Sequence, residues 1–434
     1  MMKKVLVVLV VLALASFGSM AFAADVTVGG SIDIRSRDFR DLDMNKNASD
    51  GQVDTQERVR LDVNVKAGDV KGKVTIENDW DTYGRNEAVQ GTTSVVSAVN
   101  SATTNTTTGA TSNFLGTKSS VSRLGLREAW MLFPVPNTPV YVKAGHMLLQ
   151  LGEGWFYRAM KYGSDAWVAF TDIDKLHLGI VNVKVAEGST ANASDDTDFY
   201  VGVASYKLDD ATTVGLNITS AHFRPTMVLT NIEAHFAGKI GPATLKAEVD
   251  VQDGKNKGGY TPPVGPAEDV KYKGNQVVVQ AGVPMDALTI NATIARGSGN
   301  KSGATTKNDG IATVLDTDPH YTFLYEYKVA GPCGISTGFC NTTALSVGAM
   351  FAATKNLSIG ADAWLLQATE KVSDKTSAVA GSTTNELGTE IDAKINWKLA
   401  DNLTWNTNLG YLDPGKGLGK DPATGIQAVL SMKF

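Results

Sequence analysis

The charged residues of this chain are spaced for a wall rather than for a catalytic site. Arg58, Arg60, Asp62, Asn64 and Lys66 fall on every second position, with Val59, Leu61, Val63 and Val65 between them. Lys71, Lys73, Thr75, Glu77 and Asp79 stand in the same way against Val74, Ile76 and Trp80, and Thr244, Lys246, Glu248, Asp250 and Gln252 against Leu245, Val249 and Val251. Late in the chain Glu386, Gly388, Glu390, Asp392, Lys394, Asn396 and Lys398 oppose Leu387, Ile391, Ala393, Ile395, Trp397 and Leu399. Such rows make and break no bonds. Fixed charges of both signs along a wetted surface order water, favour hydrophilic solutes and set ion preference. The basic residues Arg58, Arg60, Lys66, Lys71, Lys73, Arg123, Arg127 and Lys143 concentrate early, and Glu386, Glu390 and Asp392 late. A net basic stripe favours anions, carboxylates among them.

Bond-making chemistry finds no foothold in the motifs. The sequence holds no P-loop, no Gly-x-Ser-x-Gly, no zinc-ligand spacing and no Cys-x-x-Cys-His, and His146, His177, His222, His235 and His320 are scattered. The expectation is therefore no enzyme, no cofactor and no metal. A formal net charge of −5 also argues against a nucleic-acid partner, which calls for a strongly basic surface.

One stretch, QLGEGWFYRAMKYG, brings charge and aromatics together: Glu153, Arg158 and Lys161 beside Trp155, Phe156, Tyr157 and Tyr162. Free in water it would expose a sizeable apolar patch. Folded against an inner wall it would bury its rings and narrow a pore with charged tips; the alternative is an aromatic girdle at a membrane interface. Cys333 and Cys340, the two cysteines, have six residues between them and are expected to form a disulfide outside the cytoplasm.

A period of two is the signature of strands, whose side chains point alternately to opposite faces. Eighteen such segments run from 25–37 to 424–434, most of about ten residues, enough for a tilted strand to cross the hydrocarbon layer. Eight short turns alternate with nine longer connections, at 38–53, 84–120, 150–163, 187–196, 223–227, 254–273, 298–342, 369–385 and 413–423. That rhythm predicts a transmembrane, antiparallel, up-and-down β-barrel of eighteen strands, with sixteen as the nearest rival, apolar side outward and charged side inward. A soluble Greek-key sandwich has no reason to alternate so regularly. The weakly alternating segment 320–327 is assigned to the loop 298–342, as a rim extension or an inward fold. Arg127 and Glu128 are adjacent and cannot both face the lumen of a regular strand, so a bulge or a rim position is expected there.

The two ends agree with this reading. Lys3-Lys4, the apolar run VLVVLVVLALASFGSM and Ala21-Phe22-Ala23 predict a signal peptide over 1–23, leaving one barrel domain at 24–434. TGIQAVLSMKF reads as an amphipathic strand ending on Phe434 and resembles the terminal strand of bacterial outer-membrane proteins, which the barrel-assembly machinery reads as a sorting signal. Two stretches go further. Arg127-Glu128-Ala129-Trp130 with VYVKAGHMLLQLGEGW, and LGTEIDAKINWKLADNLTWNTNLGYLDPG, resemble motifs of the alginate-export type of outer-membrane barrel. The resemblance implies an eighteen-strand barrel with channel function. Gly145-His146-Met147 stands where that family tends to have Gly-Arg-Gln, which removes a permanent positive charge and argues against alginate itself as solute.

The sequence thus predicts a porin of a Gram-negative outer membrane that passes small hydrophilic solutes or ions. Glu153, Arg158 and Lys161 are expected at the constriction, and Arg58, Arg60, Asp62, Lys66, Lys71, Lys73, Arg123, Arg127, Lys143, Lys246, Glu248, Glu390, Asp392 and Lys394 on its wall. Its partners would be outer-membrane lipid and lipopolysaccharide, the assembly machinery and the solute, with a homo-oligomer as a further option. The alternatives are a barrel acting as scaffold or sheath for an electron-transfer partner, and a polysaccharide export channel.

Overall fold

The computed structural model describes residues 24–46, 50–82, 124–188, 195–262, 265–301, 303–316 and 321–434. The expected signal peptide, Arg123 and the expected loop 84–120 lie outside the described residues.

The chain forms β1 (Asp25–Arg40), β2 (Gln52–Ala67), β3 (Val70–Thr82), β4 (Leu124–Pro134), β5 (Tyr141–Gln150), β6 (Tyr157–Ile173) and β7 (Leu176–Ala186). It continues through β8 (Thr197–Asp209), β9 (Thr212–Phe223), β10 (Met227–Ile240), β11 (Ala243–Tyr260), β12 (Glu268–Tyr272), β13 (Asn275–Met285) and β14 (Leu288–Gly297). The two-residue strands β15 (Lys307–Asn308) and β16 (Val314–Leu315) follow, then β17 (Thr342–Thr354), β18 (Leu357–Ser373), β19 (Thr383–Ala400), β20 (Leu403–Pro414) and β21 (Ala423–Lys433). β12 and β13 pair with the upper and lower halves of β11 and together form one stave. With β15 and β16 lying in a loop, eighteen staves remain, each antiparallel to its neighbours. β1 pairs with β21 and closes the barrel, Ile34 opposite Leu430, so no edge is left open. Phe434 extends that seam: its amide and carbonyl exchange hydrogen bonds of 3.1 and 2.9 Å with Gly30.

The alternation decides which way each stave faces. On β19 Ile391 is 57% exposed on the outer wall, while its neighbours Glu390 and Asp392 are buried inside. Trp167, Ile180, Ile294 and Trp397 likewise stand outward. No described helix is long and apolar enough to cross a membrane, and the strands carry the apolar belt instead. At the short-turn end, Gly68, Asp174, Gly241 and Asp286 take positive φ, as two-residue hairpin turns require.

Three expectations need correction, each for a local reason. The connection expected at 150–163 is shorter, because β6 begins at Tyr157 and pairs with β5 through Leu149 opposite Ala159. Trp80, read as outward, faces the lumen: the β2–β3 register slips between Val59/Asn78 and Glu57/Asp81, and an extra residue turns a side chain to the other face. Its ring lies 3.7 Å from Arg35 Cζ and 4.3 Å from Arg58 Cζ. Leu387 is fully buried instead of outward, at a β18–β19 register break beside Gly388. Gly388 has φ +124, and a Cβ there would meet the Asp413 carbonyl oxygen at 2.2 Å, so the kink depends on glycine. The bulge expected at Arg127-Glu128 is present, with the β3–β4 register shifting at Thr75/Ile76.

Facing direction makes an energetic forecast. Ile391→Lys should destabilise the barrel folded into lipid vesicles by ~2–4 kcal/mol, whereas Asn396→Lys on the opposite face should stay near neutral. Urea titrations in vesicles read both values.

Candidate functional site: a constriction built by two inward loops

A barrel of eighteen staves encloses more space than wall side chains can fill. Among the described residues two connections enter it. Residues 151–156, between β5 and β6, bury Leu151, Trp155 and Phe156; Leu151 and Phe156 pack with Tyr157 against an inner wall that is itself apolar at Val183, Phe199 and Val201, while Trp155 joins the cluster of the second loop. Residues 298–341 contribute Phe323, Leu324, Tyr325, Val329 and Phe339 to a second cluster with Phe39, Trp364, Leu366, Leu387 and Leu412. Segment 321–327 is thus an inward fold.

Each loop is fastened to the wall in the same way. On β11 the Glu248 carboxylate accepts backbone N–H bonds from Glu153 (2.7 Å), Trp155 (3.0 Å) and Phe156 (3.0 Å). On β19 the Glu390 carboxylate accepts those of Phe323 (2.9 Å), Leu324 (2.6 Å) and Tyr325 (2.8 Å), and Asp392 takes a second bond from Phe323 (3.1 Å). Each carboxyl oxygen is a strong acceptor aimed at consecutive backbone donors. It also satisfies backbone donors that a buried loop would otherwise leave unpaired. Glu248, Glu390 and Asp392, expected on the wall for selectivity, hold the loops there.

The loops also hold each other. β16 pairs in parallel with the start of β6, Val314 opposite Tyr157 and Leu315 opposite Arg158. The Val314 amide donates to the Phe156 carbonyl (2.8 Å) and the Asp316 amide to the Arg158 carbonyl (3.0 Å). Asp316 then accepts the Lys161 backbone N–H and lies 3.9 Å from the Arg158 guanidinium. Trp155 packs on Phe339 with ring centroids 4.9 Å apart. Cys333 and Cys340 form a disulfide within the second loop.

The three expected constriction residues separate. Glu153 turns to β11 and pairs with Lys246 at 2.7 Å, Arg158 supports Asp316, and Lys161 lies over the Tyr162 ring, 5.0 Å from its centroid. Of the wall residues, Arg58 pairs with Asp33 (3.0 Å), Arg60 with Glu77 (2.6 Å), Arg127 with Glu77 (3.4 Å) and Lys73 with Glu128 (2.6 Å) and Asp62 (3.5 Å). Lys143 covers Trp130 at 4.1 Å and Lys394 pairs with Asp362 at 2.5 Å. Lys66 and Lys71 are exposed beside the Gly68-Asp69 turn, away from the loops.

The geometry adds residues that the spacing alone did not single out. Arg35 and Arg37 lie on β1 in the row Asp33, Arg35, Arg37, an alternation readable from SIDIRSRDFR. Arg37 is held by both Asp54 oxygens (2.6 and 3.0 Å). Arg35 stacks on Trp80 and bonds the neutral Gln56 amide oxygen. Lys328, brought in by the second loop, stands with its ammonium 5.0 Å from the ring of Phe39, on the same strand β1, and 4.7 Å from that of Tyr327. Among the described residues neither Arg35 nor Lys328 has a carboxylate at ion-pair distance. Burial, with the charges of Arg37, Arg35 and Lys161 alongside, pushes the Lys328 ammonium down to about 8. Arg35 and Lys328 thus form a patch of poorly neutralised positive charge shared by the inner wall and the loop packed on it.

No family model matches this chain, and no curated protein matches it. Solved structures do. OccK9 (OpdG) of Pseudomonas aeruginosa superposes with a TM-score of 0.57 at 13% identity, covering 95% of this chain and 98% of that one. A BenF-like porin of Pseudomonas fluorescens Pf-5 gives 0.57 at 12%, covering 94% and 98%. OpdK of Pseudomonas aeruginosa, crystallised with vanillate, gives 0.54 at 9%, covering 94% and 98%. The fold is that of an outer-membrane porin. These neighbours lend no support to the resemblance to the alginate-export type.

The fastening predicts its own failure. Glu390→Ala strands the Leu324 and Tyr325 N–H groups, while Phe323 keeps its bond to Asp392, and should weaken the docked loop by roughly 2–5 kcal/mol. Single-channel conductance should rise and its noise broaden, while the folded barrel still resists urea.

Proposed function

We propose that this protein is an outer-membrane channel of a Gram-negative cell that passes small hydrophilic solutes bearing a carboxylate down their gradient. The observation that carries this reading is the patch where Arg35 on the wall and Lys328 on the loop lack carboxylate partners, beside Arg37, Arg58, Arg60 and Arg127. A carboxylate entering the gap sheds part of its water and needs donors in return. Arg35 offers a planar, permanently charged fork, held edge-on by Trp80 beneath and Gln56 beside it. Lys328 adds a point charge from the loop packed on the same strand. The neighbouring cations are each tied to an acid, so they attract without trapping, and a solute can leave as readily as it arrives.

Residues 1–23 would export the chain and Phe434 would address it to the assembly machinery, with the short turns facing the periplasm. We assign it no catalysis. A sheath around an electron carrier, or a conduit for a polysaccharide, needs a lumen open along its length. Here Glu248 and Glu390 draw two loops across it.

Planar-bilayer recordings of the purified protein test the proposal. The wild type should give ohmic steps with a reversal potential favouring anions, and Arg35→Glu with Lys328→Glu should swing it toward cations. The absence of current above background would count against an open pore. Because Lys328 is charged below about 8 and neutral above it, anion preference should fall as the bath pH is raised through that value. Lys328→Arg should abolish that fall.

A further inference from the structure

Beneath the first loop lies a group of acids that channel selectivity does not use. Glu233 on β10 and Glu248 and Asp250 on β11 are wholly buried, and each offers an oxygen within 4.8 Å of the others. Atoms so spaced lie within about 2.8 Å of a common point, close to the ~2.3–2.6 Å of calcium–oxygen contacts and longer than magnesium prefers. His235 Nδ1 lies 3.0 Å from Glu233 Oε1, and Lys246 is engaged with Glu153. Even with His235 protonated, the three acids exceed the positive charge beside them.

The side chains around the acids point the same way. Asn217, Asn231 and Gln276, from β9, β10 and β13, are each at most 2% exposed and reach the acids through their amide groups. Asn217 bonds Glu233 at 2.9 Å, and Asn231 and Gln276 bond the two Asp250 oxygens at 2.8 Å. The carbonyl oxygen of each of these amides is buried without a partner, and so is Glu233 Oε2. Half a turn of each terminal amide exchanges nitrogen for oxygen, which is unfavourable facing bare carboxylates and favourable facing a cation. An all-oxygen set of carboxylates and carboxamides is the ligand chemistry of a hard divalent ion.

We propose that Glu233, Glu248 and Asp250 bind one calcium ion, and that the ion locks residues 151–156 in the lumen. Glu248 belongs to both the site and the loop anchor. Gly152 lies directly over the acids, where a Cβ would come within 1.7 Å of Glu233 Oε1. A cation neutralises the repulsion among the acids and holds the Glu248 carboxylate aimed at the loop amides. Losing it would leave protons to carry the compensation and loosen that aim.

The full mature barrel, purified in detergent and stripped with a chelator, is equilibrated with radioactive calcium. One ion per chain should bind, calcium in preference to magnesium. Glu233→Gln and Asp250→Asn should each weaken binding at least tenfold. Terbium, a luminescent calcium substitute, should be sensitised through Trp155, whose amide touches Glu248, and Trp155→Phe should dim it. Stripping the wild type should lower its melting temperature and raise open-channel noise. No calcium above the detergent blank, or binding unchanged in both acid variants, would overturn the proposal; should either variant misfold, the wild-type stoichiometry and chelator response decide. Binding is read without any current, so a silent barrel that takes up calcium would count against the channel and leave the site standing.

Discussion

The bond between a buried carboxylate and successive backbone amides is the constraint on which this interior depends. A loop lying in a lumen carries N–H groups away from bulk water, and each one left unpaired costs on the order of 1–3 kcal/mol. Glu248 and Glu390 answer this in the same way on different parts of the wall, each collecting three amides from an aromatic-rich segment. The aromatics then fill space that an eighteen-strand barrel cannot fill with its own wall. Without the acids, the rings would have no fixed backbone to present them; without the rings, the acids would face water.

That arrangement separates two roles that look identical in the primary structure. Inward acids on β11 and β19 position loops, whereas inward acids on β1 to β4 tie down arginines and lysines. Cations left over from the second kind of pairing, Arg35 and Lys328, are where the proposed channel would offer a passing anion an opening. Selectivity on this reading comes from what the pairing network leaves uncompensated, and the total number of charges on the wall says little about it.

Most of the barrel was legible because its code is local. Alternation along 386–399 separates Ile391 from Glu390 and Asp392 as the strand does, and the rhythm of short and long connections yields eighteen staves. What escaped the pattern is what breaks its period. A single extra residue near Trp80 turns an indole from lipid to lumen, and a positive-φ glycine at Gly388 does the same for Leu387. Lys328 escaped for another reason: its neighbours on β1 are far away in sequence, and only the folded loop brings them together. Glu153, Arg158 and Lys161 lie on or beside the first loop, yet spacing could not tell that Lys246 and Asp316 would claim Glu153 and Arg158.

The parallel pairing of Val314 and Leu315 with Tyr157 and Arg158 has a mechanical consequence. Two segments from distant parts of the chain, each moored to its own stave, are stitched into one bridge that crosses the lumen. The pairing ties the two loops to each other as well as to their own staves. Loosening residues 151–156 would therefore cost the second loop the backbone bonds that Val314 and Asp316 make to Phe156 and Arg158.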